Sequence, residues 1–283
     1  MEKQVMTVVW GVGRDGQLGL GPNTNSQRHL EPLLTLAHDT IVQLSDEGNV
    51  WCFGAGTHGR TGLGHEEDHF LPKLVRWDHE RPRIISLSCG FAHTLLLSSE
   101  FYGSAVWAFG FGEDGALGLD GARRNHTTPQ RVKALDNAAI SKIAAGGLHS
   151  MALDAGGFVY TWGHGRDGRL GLGHTDNCLT PTRVPLEEVQ GHARDISAGY
   201  RCSGVVSQRG EVWCCGKWDR GVLGLPPPSD RTNGYFDRMK QLQIAKDHCV
   251  IEMALGGTVA AAITQQGKLL VCARAACSGC MLA

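Results

Sequence analysis

"WGVGRDGQLGLG", Trp10 to Gly21, carries GxGxxG at Gly11, Gly13 and Gly16, directly after the apolar run "VMTVVW". Such a pattern holds a dinucleotide only when a strand leads into it and a helix leaves it, because the pyrophosphate sits on the helix N-terminus. The leading strand is expected here. The helix is not: "QLGLGPNTN" puts Gly19, Gly21 and Pro22 in its first two turns, and each such residue costs a helix about 1 kcal/mol or more. These glycines need another explanation.

The same cassette recurs as "FGAGTHGRTGLG" from Phe53, "FGFGEDGALGLD" from Phe109, "WGHGRDGRLGLG" from Trp162 and, weakened, "CGKWDRGVLGLP" from Cys215. Its leading positions, Trp10, Phe53, Phe109, Trp162, Cys215 and a degenerate Cys272, lie 43 to 57 residues apart. A self-similar period of this length marks a solenoid or a propeller. We divide a single domain, 1–283, into units 10–52, 53–108, 109–161, 162–214 and 215–271, with 272–283 as a degenerate tail.

Between cassettes runs a second shared segment, "ISLSCGFAHTLLLSS", "ISKIAAGGLHSMALDAGGFVYTWG" and "ARDISAGYRCSGVVSQRGEVWCCG". Short β-branched runs cut by Gly and Asp turns read as strands in meander. Aligned on Gly90, Gly146, Gly199 and Gly256, the pattern GxxHS/T gives His93-Thr94, His149-Ser150, Cys202-Ser203 and Val259-Ala260. Its histidines stand in different units and half the copies lack them. We therefore read them as buried imidazoles hydrogen-bonded to the neighbouring hydroxyl or backbone, not as metal ligands. The cassette glycines serve tight connections and close backbone approach, with Leu18, Leu117, Leu170 and Leu223 filling the space between units. Four-stranded units arranged radially make an all-β fold, a β-propeller.

Stretches such as "VYTWGHGRDGRLGLGHTDNCLTPTRV", "GYRCSGVV" and "GFAHTLLL" resemble repeats of the regulator of chromosome condensation family over nearly the whole chain. The resemblance implies a seven-bladed β-propeller. Seven blades at this period need on the order of 370 residues, more than the 283 present. Pro32 lies only 8 residues before Thr40, which stands at the His position, whereas Pro72 precedes His93 by 21, so a strand's worth of sequence is missing from the first unit. About five repeats are expected, as an open arc cut from an incomplete seven-bladed ring or as a five-unit ring. An open arc leaves strand edges unpaired and favours oligomers.

Composition sets further bounds. Glycine, 39 of 283 residues, is about double its usual share without a collagen period. A net charge of -1 supplies no global field for nucleic acid or a membrane surface. The N-terminal "MEKQVMTVVW" lacks a signal-peptide core and no window is long and apolar enough to span a bilayer. A soluble protein of cytoplasm or nucleus is expected, its ten cysteines reduced.

Several motifs suggest chemistry. "HEEDH", His65 to His69, fits the zinc-protease pattern, but that chemistry requires a helix and the run occupies a repeat loop. "CSGC", Cys277 to Cys280, lacks a second pair and reads as a flexible, reduced tail. "PPPSDRTNGYFDRMKQLQIAKDH", Pro226 to His248, lengthens the last unit. Tyr235, Phe236, Met239, Leu242 and Ile244 within it fit a short amphipathic helix or a loop packing on its own blade. The insertion "WDHERPR", Trp77 to Arg83, is a smaller excursion of the same sort. The inter-glycine tips, Arg14-Asp15, Thr57-His58, Glu113-Asp114, Arg166-Asp167 and Asp219-Arg220, are expected to project on one face, where mixed charge suits a polar protein surface. Trp218, Tyr235 and Phe236 complete the candidate partner-binding set. No catalytic constellation, cofactor site or metal site is expected.

The leading function is thus a non-enzymatic scaffold that binds protein through blade tips. The resemblance implies an alternative, guanine-nucleotide exchange on a small Ran-like GTPase, and admits a small GTPase or a ubiquitin-pathway protein as partner. Light-sensing members carry Trp in the GxxH turn; "GFAHT", "GGLHS" and "GYRCS" have none.

Overall fold

The computed structural model describes residues 8–12, 26–32, 41–44, 48–77, 82–101, 103–121, 123–186, 192–217, 234–242, 248–257, 259–273 and 281–282. Their strands form six antiparallel sheets. β1 (Val8–Val12) pairs with β2 (Ser26–Pro32); β3 (Ile41–Leu44), β4 (Val50–Gly54) and β5 (His69–Leu74) make the second sheet. Each remaining sheet has four strands in chain order: β6 (Arg83–Cys89), β7 (His93–Glu100), β8 (Gly103–Gly110) and β9 (His126–Arg131); then β10 (Ile140–Ala145), β11 (His149–Asp154), β12 (Val159–Gly163) and β13 (Cys178–Arg183). The fifth contains β14 (Ala193–Ala198), β15 (Cys202–Ser207), β16 (Val212–Lys217) and β17 (Tyr235–Gln241); the sixth contains β18 (Val250–Leu255), β19 (Val259–Thr264), β20 (Leu269–Ala273) and β21 (Met281–Leu282).

The second strand of each sheet packs on the first strand of the next: β3 on β6, β7 on β10, β11 on β14, β15 on β18. The first strands β6, β10, β14 and β18 follow one another around a common axis, so the sheets are propeller blades. In the second sheet, β3 follows Thr40 directly and takes the second-strand place. The sheet has three strands among the described residues; residues 33–40, where the sequence lacks a strand's length, lie outside them. A unit counted from one cassette to the next takes the outer strand of one blade and the three inner strands of the following one.

The core lies between blades. The cassette positions Phe53, Phe109, Trp162 and Cys215 are all fully buried, as are Leu117 and Leu170 of the LGLG element; Leu18 and Leu223 lie outside the described residues. Gly118 shows what the glycines do. Its φ is +69°, and a Cβ there would come within 2.9 Å of the Trp162 indole nitrogen in the next blade. Gly62 stands in the same relation to Phe109, and Gly171 to Cys215. A bare Cα lets each connection lie flat on the following blade's large side chain. Among the described residues no helix starts there: two cassettes hold single 3-10 turns, Thr57–Gly59 and Arg166–Gly168, and residues 13–20 of the first lie outside the described residues.

Near the axis, Asp195 ties three blades together. Its carboxylate accepts hydrogen bonds from Lys142 Nζ at 2.6 Å, from the Ile196 amide at 2.9 Å and from the Met253 amide at 3.2 Å. Ser88 and Ser197 accept from the Ala145 and Leu255 amides of the next blades, each at 2.9 Å.

Three expectations need correction. The segment from Tyr235 is neither helix nor loop but the outer strand β17, because Gly216 pairs with Phe236 and Lys217 with Tyr235 along the free edge of β16. The tail does not simply dangle: β21 pairs with β20 through Leu270–Leu282 and Val271–Met281. Cysteines 52, 89, 178, 202, 214, 215 and 249 form no disulfide, but Cys272 is disulfide-bonded, not reduced. Burial pushes the Cys52, Cys214 and Cys215 thiols up, which keeps them protonated and inert. Among the described residues no helix is long and apolar enough to cross a membrane.

Candidate functional site

In a four-stranded meander the first and third connections emerge at one end, because successive strands run in opposite directions. The GxxH turns and the cassette loops therefore share a face: turns near the axis, tips farther out. Hydrogen bonds between consecutive blades fix this face. The Phe91 amide donates to Gly146 O at 3.1 Å, the Gly147 amide to Gly199 O at 3.1 Å and the Tyr200 amide to Gly256 O at 3.3 Å. Gly146 is obligatory here, since a Cβ would meet the His149 ring at 2.3 Å and Gly199 O at 2.6 Å.

Beneath the turns, His93 and His149 are buried, and each reaches the following blade. His93 Nε2 lies 2.9 Å from Ser150 Oγ and His149 Nε2 2.8 Å from Ser203 Oγ. Each serine donates onward, Ser150 to Ala116 O at 2.7 Å and Ser203 to Arg169 O at 2.6 Å. With the hydroxyl proton so committed, the imidazole must donate through Nε2–H. Nδ1 of both rings is then a bare acceptor, buried without a hydrogen-bond partner. Protonating it would place a charge with nothing to receive it, so burial lowers His93 to about 4. His149 is held well below its ordinary range by burial and then by the Arg169 cation. The structural role read from the sequence holds, but the hydroxyl comes from the next copy, not from the adjacent residue.

The tips have a consistent division of labour. Thr57, Glu113 and Arg166 are exposed, while the residues after them turn inward. His58 meets the Phe111 ring edge-on at 5.2 Å. Asp114 accepts from Asn177 Nδ2 at 3.2 Å and lies 3.3 Å from His164 Nδ1. Asp167 accepts from Arg169 Nη2 at 3.2 Å, with Lys217 Nζ at 3.8 Å. Asp114 and Asp167 thus join blades; Glu113 and Arg166 face solvent. Tyr235 and Phe236 are half-buried at the start of β17, with Phe236 packed against the core of the last two blades. Arg14, Asp15, Trp218, Asp219 and Arg220 lie outside the described residues.

The structure adds residues that the sequence reading missed. Arg169, 4% exposed, donates through Nε to Arg166 O at 2.8 Å and through Nη1 to Tyr200 O at 3.3 Å. Arg60 repeats this arrangement onto Thr57 O and Phe91 O. Burial lowers the Arg169 guanidinium from its ordinary value and Asp167 offsets this. The recurrent Arg after the third cassette glycine, "GRTG" and "GRLG", was the available signal. On the turns themselves stand Phe91, 61% exposed, and Tyr200, 44% exposed, with ring centroids 5.8 Å apart. Gly147 makes room between them, since a Cβ there would meet Tyr200 O at 2.3 Å. Arg201 lies over the Tyr200 ring at 5.7 Å.

Three of the described cassette loops are closed by an Asx side chain. Asp68, Asn125 and Asn177 accept from the Gly56, Gly112 and Gly165 amides at 2.8, 3.1 and 3.0 Å. Asn177→Ala removes both that bond and the one to Asp114, and is expected to lower stability by about 1–2 kcal/mol. Asn177→Asp retains the acceptor but sets a second carboxylate against Asp114, so it should recover little of the loss in urea melts.

The Regulator of chromosome condensation (RCC1) repeat matches residues 47–97, 104–153 and 156–206. A second form of that repeat matches 140–169. The ultraviolet-B receptor UVR8 of Arabidopsis thaliana is 30% identical over 243 residues, 82% of this chain and 53% of its own. The human E3 ubiquitin-protein ligase HERC2 is 31% identical over 273 residues, 92% of this chain and 6% of its own. The chain thus spans about half of one relative and a small part of the other. Among solved structures, human WBSCR16 superposes with a TM-score of 0.79 at 22% identity, covering 95% of this chain and 75% of that one. Yeast Prp20p, studied for its binding to Gsp1p and histones, superposes at 0.66 and 18% identity, covering 96% and 81%. With the repeat matched over more than half its length and the blades that repeat builds, this chain belongs to the RCC1 repeat family.

Proposed function

We propose that the chain is a non-enzymatic propeller scaffold that binds another protein through the face carrying its GxxH turns and blade tips. One observation carries this reading: the exposed Phe91–Tyr200 ring pair at the axial end of that face. Exposed aromatics in a pre-built frame are the usual anchors of protein interfaces. Here the frame is rigid, because Arg60 and Arg169 hold the carbonyls of the same two residues. Glu113, Arg166 and Arg201, all exposed, supply a polar rim of mixed sign, as interfaces require.

The test pairs capture with exchange. A partner isolated by crosslinking, then purified, is expected to bind the double variant Phe91→Asp, Tyr200→Asp about 100-fold or more weakly, with an unchanged thermal melt. Unchanged affinity would place the interface elsewhere. Accelerated release of fluorescent GDP from any of a panel of small GTPases would replace the scaffold with an exchange factor.

A further inference from the structure

The "HEEDH" loop is a chemical motif that the scaffold leaves unused. It contains no helix: residues 65–68 are irregular and His69 opens β5. The two imidazoles meet nevertheless. His65 Nε2 and His69 Nε2 are 3.3 Å apart, with ring centroids at 4.8 Å and planes at 67°. Two nitrogens bound to one tetrahedral zinc ion at about 2.0–2.1 Å are separated by about 3.3–3.4 Å. The loop brings together, without a helix, what the protease pattern uses a helix to achieve.

Separate anchors hold each ring. His69 pairs with Gly54 in the β4–β5 ladder. His65 follows Gly64, whose amide donates to Thr127 O of the next blade at 2.8 Å, and its Nδ1 accepts from the Glu67 amide at 3.3 Å. That last bond makes His65 the Nε2–H tautomer, donating to the lone pair on His69 Nε2. An incoming ion takes the place of this shared proton, which moves to Nδ1 of His65. The bond from the Glu67 amide is lost together with the bond between the rings, and both are long at 3.3 Å.

We propose that His65 and His69 form a half-buried two-imidazole site for a borderline divalent transition-metal ion, Zn2+, Ni2+ or Cu2+. Imidazole suits these ions, whereas Mg2+ and Ca2+ demand oxygen ligands. Asp68 is committed to the Gly56 amide, and no group of three His, Cys, Asp or Glu side chains converges among the described residues. The bound ion therefore keeps positions open to water or to a donor on a docked protein. The loop lies among the blade tips, on the face with the aromatic pair.

Calorimetric titration of the untagged full chain with Ni2+ and Zn2+ is expected to show one ion per chain. His65→Gln and His69→Gln should each weaken it by about 100-fold, the advantage of two linked donors over one. His174→Gln is the control, because His174 in the matching loop faces Asp176 and no second imidazole. It should change nothing. With Cu2+, electron paramagnetic resonance should show two imidazole nitrogens, reduced to one in either variant. No binding at sub-millimolar ion, or equal affinity after loss of either ring, would overturn the proposal. Neither outcome bears on the aromatic pair, which carries the scaffold reading.

Discussion

Replacing Trp162 with alanine is expected to cost about 3–5 kcal/mol, a large share of the stability of an ordinary domain. The indole is wholly buried. It shares one buried cluster with Leu95, Leu97, Val106 and Leu117 of the preceding blade and with Ala145 and Ala152 of its own, and donates through Nε1 to Ala116 O at 2.9 Å. Truncation opens a cavity between blades, where the backbone cannot follow because the Gly118 connection and the Ser150 hydroxyl already hold both sides. Trp162→Phe should cost less, about 1–3 kcal/mol, since Ala116 O keeps the serine donor. Equilibrium urea unfolding at neutral pH measures both. A loss under about 1 kcal/mol for the alanine variant would mean that the blades adjust to the gap and that the interblade core is not what holds them. The fifth blade shows the natural form of such an adjustment: Cys215 replaces the aromatic, and Met239 comes within 3.2 Å of a Cβ placed on Gly171.

The same comparison shows what the sequence reveals and what it conceals. Aromatic, glycine and leucine positions of the cassette are legible because each has one spatial role in every copy, so recurrence exposes it. The shortened first unit is legible for the same reason, and β3 falls where that shortening places it. Interblade pairs are hidden. His93 and Ser150, Lys142 and Asp195, and Asp195 and Met253 stand one period apart, a separation at which residues look equivalent instead of adjacent. The Asp114 and Asp167 tips reveal charge at a turn but not the Asn177 and Arg169 side chains that consume it. β17 defeated periodicity outright, because Tyr235, Phe236 and Met239 fit a helical stripe by chance while strand pairing to β16 decided their conformation. Phe91 and Tyr200 escaped notice because the position after the GxxH glycine varies from copy to copy, and only a shared face makes two exposed rings into a site.

Acid is expected to unfold this protein through its buried histidines. In the unfolded chain His93 takes up a proton near its ordinary value of 6.5, whereas in the folded chain it resists protonation until about 4. Between those values the unfolded state binds more protons, so stability is fully present above 6.5 and drains away as pH falls toward 4. At about 1.4 kcal/mol per unit for one group, His93 alone removes about 3 kcal/mol across the window. His149, also held well below its ordinary range, acts in the same direction. The physical origin is the relay itself: each serine proton is fixed on a backbone carbonyl, so Nε2 must remain a donor and Nδ1 has no acceptor to face when it charges. Urea unfolding at several pH values between 7 and 4.5 should give a steep decline for the native sequence. His93→Cys, which copies Cys202 of the fifth blade, should be less stable at neutral pH yet decline more gently, by up to about 1.4 kcal/mol per unit. Parallel slopes for the two proteins would show that His93 titrates alike folded and unfolded, and that the sealed imidazole layer beneath the turns admits a proton.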